Sequence, residues 1–158
     1  MKLLLLLAAL IRGPADVETL TAASDAVVHA QVASRTSAYG VGGGQIITTV
    51  VLRSIETWKG NPESEVRLVI PGGEVGEYAQ TVSGMASFRE GEEVVVFLKR
   101  GAPGTYALQQ MALGKFAVAE RRARRERRDV ECMRCGAGEQ DDFPLDELRA
   151  RVLRSAAK

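Results

Sequence analysis

Short runs of apolar and β-branched residues, separated by glycine and proline turns, dominate the chain between residues 25 and 119. In Asp25–Ala33 the valines alternate with polar residues, and Gln45–Trp58 is rich in Ile, Thr and Val. Alternation with a period of two places one face of a strand in a core, and β-branched side chains suit a pleated surface. Both segments are therefore predicted to be strands. Gln45–Trp58 exceeds the usual strand length, so we expect it to bend or carry a bulge and to serve two sheets.

Five further strands are predicted from shorter patterns, at Glu65–Ile70, Tyr78–Val82, Glu93–Lys99, Thr105–Gln110 and Lys115–Ala119. The uninterrupted apolar run in Glu93–Lys99 is typical of a central strand that is covered on both faces. Ser34–Gly44 is predicted to be a loop because of its glycine run. Seven short strands with turn signals between them, and no long helix among them, favour one mainly β domain of the barrel or sandwich kind.

The first 15 residues have the pattern of a signal peptide. One lysine precedes an apolar run from Leu3 to Ile11, and small residues follow at Gly13 and Ala15. A helix that spans a bilayer needs about 20 apolar residues, whereas a signal peptide needs only about 7–15. We therefore expect a leader over residues 1–15, a mature chain beginning at Asp16, and export to the periplasm or the medium. No second apolar stretch is long enough to span a membrane, so no transmembrane segment is expected.

The predicted barrel occupies residues 16–119, and a charged tail follows over residues 120–158. Val17–Ala23 has near-helical spacing and predicts one short helical segment before the first strand. In Leu145–Ala156 the apolar residues share one face, which predicts a short amphipathic C-terminal helix. The pattern leaves open whether this helix docks on the barrel.

Candidate catalytic residues are scarce. The chain has one histidine, His29, in the middle of a predicted strand, and it contains no GxSxG motif. General acid–base and nucleophilic catalysis need His, Asp, Glu, Cys or Ser at converging positions. We therefore expect no enzyme and no cofactor, and we read His29 as an exposed or hydrogen-bonded strand residue.

An arginine cluster begins the tail, at Arg121, Arg122, Arg124, Arg125, Arg127 and Arg128. It has the charge to contact phosphate, membrane head groups or an acidic protein surface. The alternative is a solvated hairpin or linker. A nucleic-acid partner is not expected, because the net charge of the chain is only +1 and no aromatic residues interleave with these arginines.

Cys132 and Cys135 form a CxxC motif within the tail. In an oxidising compartment they would close a small local disulfide. Three alternatives stay open: idle thiols, half of a metal site completed by a partner chain, and a redox-active pair. The chain itself supplies no second ligand pair, so no metal site is predicted within it.

Two stretches, Ser24–Val32 (SDAVVHAQV) and Thr48–Gly60 (TTVVLRSIETWKG), resemble the netrin-like module, which includes the N-terminal domain of the tissue inhibitors of metalloproteinases. Further short motifs, PGGE at Pro71–Glu74 and FxxGE at Phe88–Glu92, resemble a group of uncharacterised exported bacterial proteins. The resemblance spans Val17–Val118 and implies a small antiparallel OB-like barrel. It does not imply inhibition, because those inhibitors chelate the protease metal through an N-terminal cysteine, and the expected mature chain begins with an aspartate.

The expected function is that of an exported, non-enzymatic binding module. Its partner is expected to be a protein or an envelope component, engaged through loops such as Ser34–Gly44 and Glu74–Gln80. A protease-regulating module is the first alternative, based on the resemblance. A redox or metal-binding protein that uses Cys132 and Cys135 is the second.

Overall fold

A computed structural model describes residues 15–126 and 141–158. The described chain contains ten strands, two α-helices and one 3₁₀ helix. In chain order these are α1 (Val17–Ala23), β1 (Ala26–Tyr39), β2 (Ile46–Lys59), β3 (Glu65–Pro71), β4 (Gly73–Val75), β5 (Tyr78–Gln80), β6 (Glu93–Arg100), β7 (Tyr106–Leu108), the 3₁₀ helix (Met111–Gly114), β8 (Lys115–Ala119), β9 (Arg122–Arg124), β10 (Asp142–Pro144) and α2 (Leu145–Ala156).

Five strands close into a barrel in the order β1-β2-β3-β7-β6, with β6 returning to pair with β1. The β3–β7 contact is parallel and the other four are antiparallel. The expected fold, a mainly β, small OB-like barrel with a short C-terminal helix, is confirmed. Strands β8, β9 and β10 extend the sheet beyond the barrel from β6, and β4 and β5 form a separate hairpin.

The barrel interior is filled by alternate residues of its strands, because successive side chains of a strand point to opposite faces. Val28, Val50, Leu68 and Val96 are fully buried there. Phe88, on the segment between β5 and β6, packs against the same cluster and is also buried. Closing the sheet in this way removes most of its exposed strand edges.

A second core lies outside the barrel wall, under α1, α2 and β8–β10. Phe97 of β6, Phe116 of β8, Phe143 of β10 and Leu148 of α2 meet there, all of them buried. Strand β6 serves both cores, since Val94, Val96 and Leu98 face the barrel interior while Val95 and Phe97 face the second core. The apolar run of this strand was therefore correctly read as covered on both sides.

Strand β2 reaches both cores by means of bulges. Its register with β1 skips Ile55 and Trp58, so each is an extra residue on the β2 side. Leu52 consequently faces the barrel interior while Trp58 is buried in the second core. An inserted residue increases the local twist of a strand and re-aims the side chains after it. The predicted bulge is thus present.

The segment Ser34–Gly44 is not a loop throughout. Strand β1 continues to Tyr39 and pairs with β2 up to Ile46, leaving residues 40–45 as the turn. The loop prediction was wrong for the first six residues, because Ser, Thr and Arg at those positions gave no apolar alternation. They form a strand because β2, with its strong β pattern, offers a partner along its whole length.

Candidate functional site

The two segments predicted to engage a partner come together at one end of the molecule. The β4–β5 hairpin lies across the face of the β1–β2 hairpin, where the Ser37 and Thr48 hydroxyls hydrogen-bond at 2.8 Å and Thr48 donates to the carbonyl oxygen of Gly72 at 2.7 Å. A Cβ atom on Gly73 would lie 2.4 Å from both hydroxyl oxygens, so only glycine allows this approach. The backbone N–H of Ile46 also donates to the Gln80 side-chain oxygen at 2.7 Å.

We call this region the two-hairpin surface and define it as residues 35–45 of the first hairpin with residues 73–80 of the second. It carries three of the four large apolar side chains that are exposed in the described chain: Tyr39 (47% exposed), Val41 (112%) and Tyr78 (70%). The fourth, Ile55, lies on β2 at one of the bulges. Such a concentration of exposed apolar side chains is a feature of binding surfaces.

A cleft of about 220 Å³ opens beneath the second hairpin. Its apolar lining includes Val50 and Ile70 of the barrel with Val82 and Met85 of the following segment. Arg35 also lines the cleft, and its Nη1 donates to the carbonyl oxygen of Phe88 at 3.0 Å. A small apolar side chain from outside therefore has a place to enter beneath the hairpin that carries Tyr78.

The arginines of the cluster that the structure describes take part in ion pairs within the chain. Arg121 pairs with Asp146 at 2.8 Å, and Arg122 and Arg124 pair with Asp142 at 2.9 and 3.2 Å. The acidic residues that follow in the sequence thus face the cluster across β9 and β10. For these three arginines, part of the charge available to an outside partner is offset at short range.

Arg125 differs from its neighbours because its side chain is only 1% exposed. Its Nε donates to Asp141 at 2.9 Å, and its Nη1 donates to the carbonyl oxygens of Ala15 at 2.7 Å and Leu113 at 3.3 Å. It therefore does not face a partner at the surface. Arg127 and Arg128 lie outside the described residues, as do Cys132 and Cys135 with their predicted disulfide.

His29 lies on the barrel wall and is 8% exposed. Its Nε2 is 2.5 Å from Oε1 of Glu93, and its ring lies 5.7 Å from that of Trp58. It is a hydrogen-bonded strand residue, as expected from its setting in the sequence. Within residues 15–126 and 141–158, no hydroxyl group hydrogen-bonds to His29, so a nucleophile is not aligned with the His–Glu pair there.

Glu56 lies next to this pair and links β2 to α2. Arg149 donates to both of its carboxylate oxygens, and Trp58 Nε1 donates to Oε2 at 2.8 Å. These contacts, chiefly the one with Arg149, lower the pKa of Glu56 to about 2. The group is an anion that fixes α2 on the barrel wall, and such a low pKa does not suit a general acid or base near neutral pH.

A larger cleft, of about 470 Å³, lies beside the segment that leads into β6. Its charged lining residues include Arg89, Glu92, Lys115 and Arg124. Lys115 donates to Glu92 at 2.9 Å and lies over the ring of Phe88, while Arg124 pairs with Asp142. With Glu126 also in the lining, charges of both signs surround this cleft.

No group of three or more His, Cys, Asp or Glu side chains is arranged to hold a metal ion in the part of the chain that the structure describes. None of the helices in that part is long and apolar enough to cross a membrane. No family model and no curated protein matches the chain. Its function is therefore inferred from the geometry of its own residues.

Two features of the site were not visible in the sequence. The exposed residues Tyr39 and Tyr78 are 39 positions apart, and neither lies in a recognisable motif. The burial of Arg125 among charged neighbours was also missed, since its partners Ala15 and Leu113 are remote in sequence. The Pro-Gly-Gly run before Glu74 is the one signal in the sequence for a close backbone approach at this point.

Proposed function

We infer that the chain is an exported, non-enzymatic binding module that engages a protein through the two-hairpin surface. The observation that carries this proposal is the meeting of two hairpins that present Tyr39, Val41 and Tyr78 beside an apolar cleft. Tyrosine supplies a large, rigid contact area with a polar tip, and aromatic residues are enriched in protein interfaces. Tyr39 and Tyr78 lie in paired strands, so the backbone that carries them is already ordered and less entropy is lost on binding.

The charges of this end favour a protein over a nucleic acid. Glu74 and Glu77 are exposed on the second hairpin, and they would repel a phosphate backbone. The arginine cluster is also a poor candidate for binding a phosphate backbone, because Arg121, Arg122 and Arg124 already pair with Asp142 and Asp146. The absence of a catalytic role is supported by the packing of His29 against Glu93 and Trp58, where it is 8% exposed.

The tissue inhibitors of metalloproteinases chelate the protease metal through their N-terminal cysteine. The first described residues of this chain give no support for that mode of inhibition. Ala15 is fully buried against Leu113, and Asp16 caps α1 by accepting a hydrogen bond from the N–H of Thr19 at 2.8 Å. These residues are engaged in packing and capping, so they do not project as a free arm. Protease regulation would have to use another surface, and the two-hairpin surface is the one that this geometry favours.

The proposal is tested with surface variants and a matched control. A Tyr39→Ser/Val41→Ser/Tyr78→Ser chain and an Ile55→Ser chain are compared with the unchanged chain by crosslinking to the envelope and medium fractions of the source cells, followed by mass spectrometry. A protein captured by the unchanged chain and by Ile55→Ser, but lost with the triple variant, is the expected result. Capture that survives the triple substitution would show that the partner uses a different surface.

Export is tested separately. The full chain with a C-terminal tag is expressed in a bacterium with an intact secretion system, and the cytosolic, periplasmic and medium fractions are compared. We expect a shortened product outside the cytosol, because residues 3–11 have the length and apolarity of a signal-peptide core. A full-length product confined to the cytosol would contradict the proposed compartment.

A further inference from the structure

Within the part of the chain that the structure describes, the outer edge of β1 is open along its last six residues. Strand β6 pairs with β1 only as far as Gln31, after which the Val32 N–H donates to the Glu92 oxygen and the Gly91 N–H donates to the Val32 oxygen, both at 2.8 Å. Among residues 15–126 and 141–158, no backbone group hydrogen-bonds to this edge beyond Val32. The opposite edge of the same stretch is paired with β2 throughout.

The pairing with β2 determines which backbone groups point outward. At the end of the hairpin the Gly40 N–H donates to the Gln45 oxygen at 2.7 Å, so these two residues form a hydrogen-bonded pair. In an antiparallel ladder such pairs alternate with pairs whose N–H and C=O groups point away from each other. Arg35, Ser37 and Tyr39 therefore direct their backbone groups away from β2. The contacts of Ile46, which lies opposite Tyr39, fit this alternation. Its carbonyl oxygen points away from β1 and accepts a hydrogen bond from the Gly72 N–H on the other side of β2.

This edge lacks the usual protection against strand pairing. Natural sheets cover or twist their edges, or place lysine, proline or bulges on them. From Ser34 to Tyr39 there is no lysine and no proline, and the register with β2 is regular. The one charged side chain, that of Arg35, is turned to the Phe88 carbonyl oxygen.

We propose that an extended segment of a partner protein adds to the sheet along Arg35–Tyr39 and inserts an apolar side chain into the cleft beneath the second hairpin. The proposal rests on the proposed function and specifies how the partner is held at the same surface. In strand addition, backbone hydrogen bonds supply affinity and pockets for alternate side chains supply specificity. Arg35 belongs both to the open edge and to the lining of the cleft, so the two elements of such a site are adjacent.

The chemistry of the occupant follows from the surroundings of the edge. The cleft is lined by Val50, Ile70, Val82 and Met85, which select an apolar residue in the segment. The carboxylates of Glu74, in the cleft lining, and Glu77, exposed at the hairpin turn, outnumber the one cation of the lining, Arg35. A lysine or arginine near the apolar residue is therefore favoured. Tyr39 offers its ring to a second side chain on the same face.

A matched pair of substitutions isolates the backbone donors. Proline removes an N–H, and it is tolerated in a strand where that N–H points away from the neighbouring strand. Ser37→Pro/Tyr39→Pro is compared with Ser37→Ala/Tyr39→Ala, which loses the same side-chain groups but keeps both N–H groups. Circular dichroism and thermal unfolding check that the two variants are folded to the same extent.

The probe is a display library of random linear eight-residue peptides, selected against the full chain and measured by calorimetry. We expect selected peptides with an apolar residue next to a basic one, whose affinity falls at least about tenfold more in the proline variant than in the alanine variant. Binding should also slow the hydrogen exchange of the Ser37 and Tyr39 amides.

Each other outcome overturns this inference in a distinguishable way. No selected peptide, or equal affinities of the proline and alanine variants, would exclude strand addition. If the triple serine variant still loses its protein partner in that case, the two-hairpin surface stands and only the mode of binding is wrong. Concentration-dependent dimers of the unchanged chain that the proline pair abolishes would show that the edge serves a second copy instead.

Discussion

The guanidinium of Arg125 joins three segments that are remote in sequence. It donates to the Ala15 and Leu113 carbonyl oxygens and to the Asp141 carboxylate, and it lies 5.0 Å from the centre of the Phe116 ring. A buried charge is stable only when its hydrogen-bonding groups are satisfied and an opposite charge is close. The start of the described chain is therefore part of the structural support of this residue, although Ala15 falls within the expected leader.

We expect a chain that begins at Gly13 to be more stable than one that begins at Asp16. The shorter chain lacks the Ala15 carbonyl, so the buried Nη1 of Arg125 loses its 2.7 Å hydrogen bond and keeps the longer one, of 3.3 Å, to Leu113. The loss costs about 1–3 kcal/mol. Urea unfolding of the two chains measures the difference. In an Arg125→Leu background the same truncation should cost less, since the donor is absent. Equal stabilities in the unchanged background would show that Ala15 is dispensable, in agreement with cleavage after it.

The Glu56–Arg149 pair predicts a pH dependence of stability. The Arg149 guanidinium holds the pKa of Glu56 at about 2, below its ordinary value of 4.5. A carboxyl group whose pKa is lower in the folded state stabilises the fold above its unfolded pKa, and this contribution is lost as the pH falls from about 4.5 to about 2. Glu56→Gln should therefore lower the free energy of unfolding at pH 7, by a modest amount because the pair is partly exposed, and much less at pH 2.

The control for this prediction is Glu63→Gln. Glu63 is an exposed carboxylate for which no ion pair is present among the described residues. Urea unfolding at pH 7, 4 and 2 should show a difference between Glu56→Gln and the unchanged chain that shrinks with falling pH, and no such trend for Glu63→Gln. If Glu56→Gln lowered the free energy of unfolding by the same amount at all three pH values, the packing of this side chain, and not its charge, would hold α2 in place.

At the scale of elements, α2 completes the second core. Leu148 and Val152 are fully buried against the barrel wall, while Arg151 pairs with Glu18 of α1 at 2.7 Å. The amphipathic pattern of the sequence defined the helix and its apolar face. It could not show whether the helix docks, because its apolar partners on β6 and β8 are distant in the chain.

We expect Leu148→Ala to destabilise the protein by about 2–5 kcal/mol, because it removes buried methyl groups and leaves a cavity. Arg154→Ala, on the exposed side of the last turn, should change stability by no more than about 0.5 kcal/mol. Both values follow from urea unfolding. A Leu148→Ala effect as small as that of Arg154→Ala would indicate that α2 does not pack on the barrel in solution.

The elements were predictable to different degrees for physical reasons. Helices α1 and α2 and strand β8 have the predicted bounds, since each has a regular pattern that ends at polar or turn residues. The end of β1 was missed because its pairing with β2 is a tertiary effect that overrides a polar local sequence. The two segments suggested for partner binding lie together, but their meeting depends on Gly73, whose closeness to Ser37 and Thr48 no local pattern encodes.

At the scale of the whole molecule, two cores share their walls. The barrel interior and the second core lie on opposite faces of β6, and β1 and β2 also contribute to both. If either core unfolds, one face of β6 is exposed and the strand is no longer held in place. The other core then loses one of the strands that enclose it. This arrangement favours unfolding in one step, in contrast to two layers joined only by a linker.

The single tryptophan makes this coupling measurable. Trp58 is 3% exposed in the second core, so its fluorescence reports on that core, whereas far-ultraviolet circular dichroism reports mainly on the strands of the barrel. We expect the two signals to give coincident urea transitions in the unchanged chain. They should also coincide in Leu68→Ala, which alters the barrel, and in Leu148→Ala, which alters the second core, with both midpoints shifted to lower urea. A fluorescence transition that precedes the dichroism transition in Leu148→Ala would mean that the barrel survives without its second core, and β6 would then not couple the two.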